Sequence, residues 1–292
     1  MNHKAIFLLL VVILPVTYVN AQDEDLLKLI GNDSVKKEYV DASFKSSRVI
    51  MSHSIEMLRP GVLDFRILHR FGTVSGGIYE FFGLDGPATV RLGLDYGLTN
   101  NISFGIGRSA YKKELDGFLK YRLLHQATGP KSSPVSIVGV AGMTYAADTI
   151  TKRYHTSDRF AFYWQALIGR KFSETFTLQL MPNVLHKNIV SQGQDNDILA
   201  GGIGGRLKLT KRISVNVDYY YVINQVDGIR NPLSVGFDIE TGGHVFQLHF
   251  TNAKGINERA FLAETIDDWS AGDIQFGFNI SRAFQLKKKK SL

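Results

Sequence analysis

Hydrophobic and polar residues alternate along most of the chain after residue 61. The clearest case is the last such stretch, residues 274–284, whose sequence is IQFGFNISRAF. Side chains of a β-strand point alternately to its two sides, so the pattern predicts one apolar and one polar face. A soluble sheet would turn the apolar face towards a core. A transmembrane barrel would turn it towards lipid and line its lumen with the polar face.

The same alternation predicts an all-β protein built as a single antiparallel transmembrane β-barrel of twelve strands. Most of the predicted strands are roughly eight to twelve residues long, which suits a tilted membrane crossing. The predicted strands lie near residues 63–71, 88–96, 102–106, 115–123, 135–145, 160–171, 176–184, 199–209, 213–221, 233–240, 246–251 and 274–284. Residues 135–145 are apolar on both faces and fit the alternating pattern least well.

The connections between the predicted strands alternate in length. The short ones are residues 98–101, 173–175, 210–212 and 241–243, and the long ones are 72–87, 146–159, 188–197, 224–232 and 252–273. Outer-membrane barrels have short periplasmic turns and longer outer loops, so this alternation favours such a barrel. Two connections fit less well, because 127–134 is long for a periplasmic turn and 109–114 is short for an outer loop. The apolar side chains in loops 72–87 and 252–273 are expected to pack over the rim of the barrel.

Residues 48–57 have strand-like composition but poor alternation, and a turn signal at 59–61 follows them. With both termini in the periplasm the number of strands must be even, and residues 62–284 already supply twelve. We therefore expect this segment to fold into the lumen or to lie under the barrel, where inward glycines such as Gly105 and Gly202 leave room for it. The alternative is that one strand has been miscounted.

The ends of the chain predict an exported protein. A basic start, an apolar run over residues 5–16 that is too short for an ordinary membrane helix, and a cleavage site at 19–21 are typical of a secretory signal. The chain has no cysteine, so we expect neither disulfides nor thiol chemistry. The predicted organisation is a cleaved signal peptide at 1–21, a periplasmic or lumen-associated segment at 22–61, an outer-membrane barrel at 62–286 and a basic tail at 287–292.

The net charge of +7 is modest and spread along the chain. A basic chain raises nucleic acid as a partner. An exported chain rarely meets nucleic acid, and no recognition motif is visible in the sequence. Outer-membrane lipid and a small solute are therefore the expected partners, and the expected location is the bacterial outer membrane.

Charged residues on the polar phase of the strands are the candidates for lining the lumen. They are Arg66, Arg91, Asp95, Lys120, Arg122, Arg206, Asp218 and Glu240. Charges inside a narrow barrel tune the passage of a solute or ion. They also suit a closed network that fills the barrel, because twelve strands lie between side-chain-filled barrels and open porins. The sequence thus predicts either a small-solute channel or a structural barrel, in both cases with a polar, charged lumen.

Two further functions stay open as alternatives: an enzyme that modifies outer-leaflet lipid, and a surface-interaction barrel that does not conduct. A lipid hydrolase would need a serine nucleophile beside a histidine such as His69 or His186, and Ser191 is near His186 in sequence only. His53 and Glu56 have the spacing of a helical metal pair, but the segment lacks helical periodicity and a third ligand. We predict no catalytic residue, metal site or cofactor.

Four stretches of the sequence resemble a family of bacterial outer-membrane β-barrels that is known as a domain of unknown function. They are GIYEFFGLDGPATVRLGLDYGLTNNISFGIGR at 77–108, HRFG at 69–72, SHSIE at 52–56 and FGFNISR at 276–282. The likeness extends over nearly the whole chain that follows the signal peptide. It implies a barrel in the outer membrane and implies no activity, cofactor or site residue.

Overall fold

The structure is a computed structural model that describes residues 36–147, 155–224 and 226–286. The predicted signal peptide at 1–21 and the basic tail at 287–292 lie outside the described residues and stay predictions. Among the described residues, no helix combines the length and the apolar character that a membrane crossing requires.

Strands dominate the described part of the chain. In chain order they are β1 (Glu38–Tyr39), β2 (Val62–Thr73), β3 (Thr89–Gly97), β4 (Ile102–Ser109), β5 (Leu115–Leu124), β6 (Ala127–Thr128), β7 (Ser136–Tyr145), β8 (Phe160–Lys171), β9 (Phe176–Lys187), β10 (Asp197–Lys208), β11 (Ile213–Val222), β12 (Leu233–Thr241), β13 (His244–Thr251) and β14 (Gln275–Gln285). The two short strands β1 and β6 pair with each other, and the other twelve form a closed barrel. The predicted fold class is therefore confirmed.

The barrel closes because its last strand pairs with its first. Antiparallel pairing of β14 with β2 places Ile280 opposite Ile67 and Ser281 opposite Arg66. In the first pair both side chains are apolar and point outward, and in the second both are polar and point inward. Paired residues of β14 and β2 therefore point to the same side of the barrel wall. A slip of β14 by one residue would turn Ser281 outward and Ile280 inward, which fixes the register strongly.

The outer face of the barrel is apolar and the inner face is filled. The side chains of Leu92, Trp164 and Val217 point outward and are 49%, 53% and 39% exposed. Their chain neighbours Arg91 and Asp218 point inward and are 1% and 0% exposed. Such an alternation of exposed apolar and buried polar residues is the reverse of a soluble barrel and is typical of a barrel in lipid.

Arginine in place of Leu92, Trp164 or Val217 is expected to destabilise the folded barrel in a bilayer by about 2–4 kcal/mol if the residue lies near the midplane. The reason is that a guanidinium at that depth has no water. Unfolding by denaturant from phospholipid vesicles measures the effect. Asn100→Arg, in the exposed turn after β3, is the matched control and should change the unfolding free energy little. Parental stability in all three outward variants would show that the facing assignment is wrong.

The structure explains the two connections, 127–134 and 109–114, whose lengths did not fit the alternation of short turns and long loops. In the connection after β5, Ala127 and Ser133 exchange two backbone hydrogen bonds of 3.0 Å, so the extra residues form a small hairpin of their own. The short connection after β4 is a 3-10 turn at Tyr111–Lys113. Other 3-10 turns lie at Val74–Gly83, Ser157–Arg159 and Trp269–Ala271, and one α-helix, α1, covers Glu258–Ala263.

Loop 72–87 does not pack its apolar side chains over the rim, contrary to the expectation. Tyr79 is 93% exposed and Ile78 is 76% exposed. The loop is held at its base by main-chain contacts instead, since Val74 N–H donates to the carbonyl of Ile274 at 2.7 Å. The backbone of Gly83 also packs on that of Gly72, where a side chain would collide.

Candidate functional site

Residues 42–57, called the plug segment below, contact the inner wall of the barrel. Ile50, Met51, Ser52 and His53 are all 0% exposed. The segment folds back on itself, because Val49 N–H donates to the carbonyl of Ser52 at 2.9 Å. This tight turn explains the poor alternation of residues 48–57, since its side chains contact the wall in several directions.

Asp218 on β11 holds the tip of this turn. Its carboxylate accepts hydrogen bonds from the backbone N–H groups of Ile50 at 3.2 Å, Met51 at 2.8 Å and Ser52 at 2.9 Å, and from the Ser52 hydroxyl at 2.9 Å. Three successive N–H groups that converge on one carboxylate form an anion-binding concavity of the main chain. A fully buried carboxylate is thereby satisfied by the plug segment.

Other polar wall residues also bind the main chain of the plug segment. Lys120 Nζ donates to the carbonyl of Glu56 at 2.5 Å, and Arg206 Nη1 donates to the carbonyls of Ala42 at 2.9 Å and Ser43 at 3.0 Å. Gln179 accepts from one main-chain N–H and donates to one carbonyl, and Gln247 donates to another carbonyl. These contacts satisfy a chain that has little regular secondary structure, as a buried loop requires.

The inner wall is not polar throughout. Leu167, Met181 and Leu185 point inward from β8 and β9 and are 0% exposed. They belong to one apolar cluster with Val49 and Ile55 of the plug segment. Each such side chain contributes about 1.5–3 kcal/mol when it is fully buried. The lumen therefore combines charged and apolar surfaces, whereas alternation predicted a polar, charged lumen.

The loop between β13 and β14 fills the lumen further. Its helix α1 contacts β8, β9 and β10. Ile256, Phe261 and Leu262 are 0% exposed, and the Phe261 ring lies 5.4 Å from that of Tyr220. Asn257 caps α1, because its side-chain oxygen accepts from Ala260 N–H at 2.9 Å. The expectation that loop 252–273 packs over the rim is therefore wrong for this part, since its apolar side chains are buried against the inner wall.

One ion pair joins the plug segment to this loop. Arg48 Nη1 lies 3.4 Å from Glu258 Oε1, and His53 Nε2 lies 3.3 Å from the same oxygen. The Phe118 ring packs edge-on against His53, with 4.4 Å between the ring centroids. Burial lowers the pKa of His53 well below its usual value, and the Arg48 charge lowers it further. His53 is therefore neutral at pH 7, and Arg48 supplies the positive charge opposite Glu258.

The eight predicted lumen candidates all take part in contacts within or at the end of the barrel. Six of them are buried: Arg66, Arg91, Asp95, Lys120, Arg206 and Asp218. Arg66 pairs with Asp64 at 2.7 Å and with Asp95 at 3.1 Å, and Arg91 pairs with Asp116. The other two are partly exposed: Arg122 Nη1 lies 3.2 Å from a nitrogen of His125, and Glu240 pairs with Lys45. Whether these residues line a conducting pathway stays a prediction.

Two kinds of residue that contact the plug segment were not predicted from the sequence. Gln179 and Gln247 lie on the polar phase of their strands and were passed over because only charged residues were counted as candidates. Glu258 lies in a loop whose sequence has no periodicity, so no pattern indicated its position. A count of all polar inward residues would have found the two glutamines.

The histidines considered for catalysis lie outside the lumen. His69 stacks on Phe278, with 4.8 Å between ring centroids, and His186 Nδ1 lies 2.7 Å from Asp197 on the surface. These contacts are with a ring and a carboxylate and include no serine hydroxyl. The described residues contain no group of three or more histidine, aspartate or glutamate side chains that could hold a metal ion.

A closed barrel with an apolar outer face and satisfied backbone groups is a membrane-spanning β-barrel. Residues 44–284 match the family described as a membrane bound beta barrel domain (DUF5777), and the chain belongs to that family. The matched region includes most of the plug segment as well as the barrel. The resemblance noted in the sequence is thereby confirmed.

Among solved structures, the chain is similar to porins and outer-membrane channels. The NanC porin is 8% identical, with a TM-score of 0.48 over 77% of this chain and 100% of that one. The KdgM porin is 10% identical, with a TM-score of 0.44 over 76% and 99%. An outer membrane channel from Pseudomonas putida F1 is 11% identical, with a TM-score of 0.44 over 78% and 97%. At these values the likeness says nothing about the activity of this chain. No curated protein matches the chain.

Proposed function

We propose that the protein is an outer-membrane channel for small solutes, which the plug segment and the loop helix α1 hold closed. The observation that carries this proposal is the way in which Lys120, Arg206 and Asp218 are satisfied. Each uses the main chain of the plug segment as its partner rather than another wall side chain. Arg66 and Arg91 pair with wall carboxylates and would keep those partners without the plug segment, whereas these three charges would face an open passage.

Main-chain contacts of this kind can exchange with water when the plug segment leaves. A hydrogen bond to a charged group contributes about 1.5–3 kcal/mol net, because water replaces the lost partner. Departure of the plug segment would leave Lys120, Arg206 and Asp218 facing water in a polar passage. Charges at those positions would then act on the solute that passes.

A barrel that does not conduct is the second candidate, and one observation favours it. The cavity beside Arg48, Arg66, Gln247 and Asn279 measures ≈ 10 Å³, which is room for about one water molecule. The apolar contacts of Val49 and Ile55 also hold the plug segment in place. The closed state is therefore well packed, and the two candidates differ in whether it opens.

A cysteine lock tests the proposal on the full chain, which has no cysteine of its own. A side chain on Gly169 would contact Ile55, so cysteines at these two positions are placed to form a disulfide between the plug segment and β8. In planar bilayers we expect the wild type to show transitions between closed and open states. The oxidised I55C/G169C protein should stay closed, and a reductant should restore the transitions. Gly169→Cys alone is the control, and its transitions should be the same with and without the reductant.

Two results would contradict the channel. Absence of any conductance in the wild type and in the reduced double variant would leave the non-conducting barrel. Unchanged openings in the oxidised protein, with the disulfide verified by mass spectrometry, would show that ions do not pass where the plug segment lies.

A further inference from the structure

Arg70 on β2 is a fully buried arginine, and the edge of its guanidinium formed by Nε and Nη2 has no acceptor. Its Nη1 donates to the carbonyl of His69 at 3.0 Å and to the side-chain oxygen of Asn279 at 3.1 Å. Its Nε and Nη2 are buried without a hydrogen-bond partner. Arg70 itself is 0% exposed. Two N–H groups on one side of the guanidinium therefore have neither a protein acceptor nor bulk water.

The same edge is occupied in another arginine of the barrel. Arg91 donates from Nε to one carboxylate oxygen of Asp116 at 2.9 Å and from Nη2 to the other. Arg66 likewise has Asp64 and Asp95 as counter-charges. Among the described residues, no carboxylate lies within ion-pair distance of Arg70. Arg91 thus shows which group fits the edge that Arg70 leaves open, namely a carboxylate or an anion of similar shape.

A second unpartnered group lies beside Arg70. On the intervening strand β14, Gly277 is the cross-strand partner of both Arg70 and His249. A side chain on Gly277 would meet Nε2 of His249 and would lie 3.0 Å from Cδ of Arg70. His249 is 1% exposed, and its Nε2 has no hydrogen-bond partner. The glycine therefore allows an arginine and a histidine from different strands to approach each other.

We propose that Arg70 and His249 form a binding site for a small anion that carries a carboxylate or phosphate group. Arg70 supplies the two parallel N–H donors that such anions accept in a bidentate manner, and His249 Nε2 supplies a third donor when it is protonated or in the matching tautomer. The bound anion supplies the direct counter-charge that this buried guanidinium lacks, since Asp218 acts on it only from beyond ion-pair distance. Both residues lie near the ends of β2 and β13 that lead into the long loops 72–87 and 252–273, so an anion reaches them when loop 252–273 moves.

This site does not depend on conduction, because an anion can bind to a barrel that never opens fully. A ligand that binds only the folded protein raises its unfolding temperature as its concentration rises. The test follows thermal unfolding of the full chain in detergent micelles, with sodium phosphate and sodium acetate as probes. Sodium chloride at equal ionic strength is the reference, since chloride lacks the two oxygen atoms that accept in parallel from the fork.

In the wild type we expect the unfolding temperature to rise with phosphate or acetate beyond its value in chloride. Arg70→Gln should abolish that rise while folding at least as well in chloride, because the uncompensated charge is gone. Arg91→Gln is the matched control: it should lower the unfolding temperature through loss of its pair with Asp116 and keep the response to the anions. A rise in Arg70→Gln equal to that of the wild type, or no rise in the wild type, overturns the proposal.

A second variant decides the matter if Arg70→Gln does not fold. His249→Leu keeps a similar volume and removes the imidazole donor while Arg70 stays in place. Phosphate bound by the wild type and by His249→Leu is then measured by isothermal titration calorimetry. A dissociation constant raised about tenfold or more supports the site, and an unchanged constant overturns it.

Discussion

Deletion of residues 22–57 is expected to leave a barrel that inserts into membranes and conducts more than the full chain. All twelve barrel strands begin at or after Val62, so the wall remains complete. The deletion removes the main-chain partners of Lys120, Arg206 and Asp218, and water can take their place. It also removes Arg48, so that α1 loses the partner of Glu258 and the loop is held less firmly.

The deletion is measured in two steps. Altered gel mobility after heating shows whether the truncated chain forms a barrel, and single-channel recording then gives its conductance. Deletion of residues 22–35 alone is the matched control, because it removes none of the contacts described above, and it should conduct like the full chain. A truncated chain that forms no heat-modifiable barrel would show that the barrel needs residues 36–57 in order to form, which contradicts the prediction. A barrel with unchanged conductance would place them outside the conducting path.

The strands could be predicted from the sequence because lipid and lumen impose opposite demands on neighbouring residues. The predicted strand at 213–221 corresponds to Ile213–Val222, and even the poorly alternating 135–145 corresponds to Ser136–Tyr145. The latter has apolar residues on both faces because Val138 and Val140 point inward to the apolar cluster. Alternation predicts which residues share a face, and it does not predict what fills the lumen.

The contacts inside the barrel could not be predicted because they join segments without a repeating pattern. Glu258 and Arg48 come together only because two segments that are far apart in the sequence both fold into the lumen. Parity of the strand count excluded residues 48–57 from the wall, and it gave no partner for any of them. Glu56 illustrates this. Its carboxylate accepts from the backbone N–H groups of Ser43 and Phe44, and no pattern in the sequence indicated these contacts.

Asp218→Ala is expected to destabilise the folded protein by about 3–5 kcal/mol. The substitution leaves buried N–H donors without the charged acceptor that had satisfied them. Three backbone N–H groups of the plug segment would lose their common acceptor. The side chain of Asp218 is fully buried, so water does not reach the site without displacement of the segment. Denaturant unfolding of the protein in detergent or vesicles measures the loss.

Glu240→Ala is the matched control for this prediction, since Glu240 is also a wall carboxylate that binds the plug segment. It pairs with Lys45, but its side chain is 44% exposed, and exposed ion pairs contribute only about 0–1 kcal/mol. The two substitutions remove the same charge from the same wall, so burial and the three backbone donors of Asp218 separate their expected effects. Similar small losses in both variants would mean that water already reaches Asp218 and that the plug segment is not seated on it. A large loss in Asp218→Ala alone, together with more frequent channel openings, is the expected result, because the barrel wall stays intact while the segment that closes it is released.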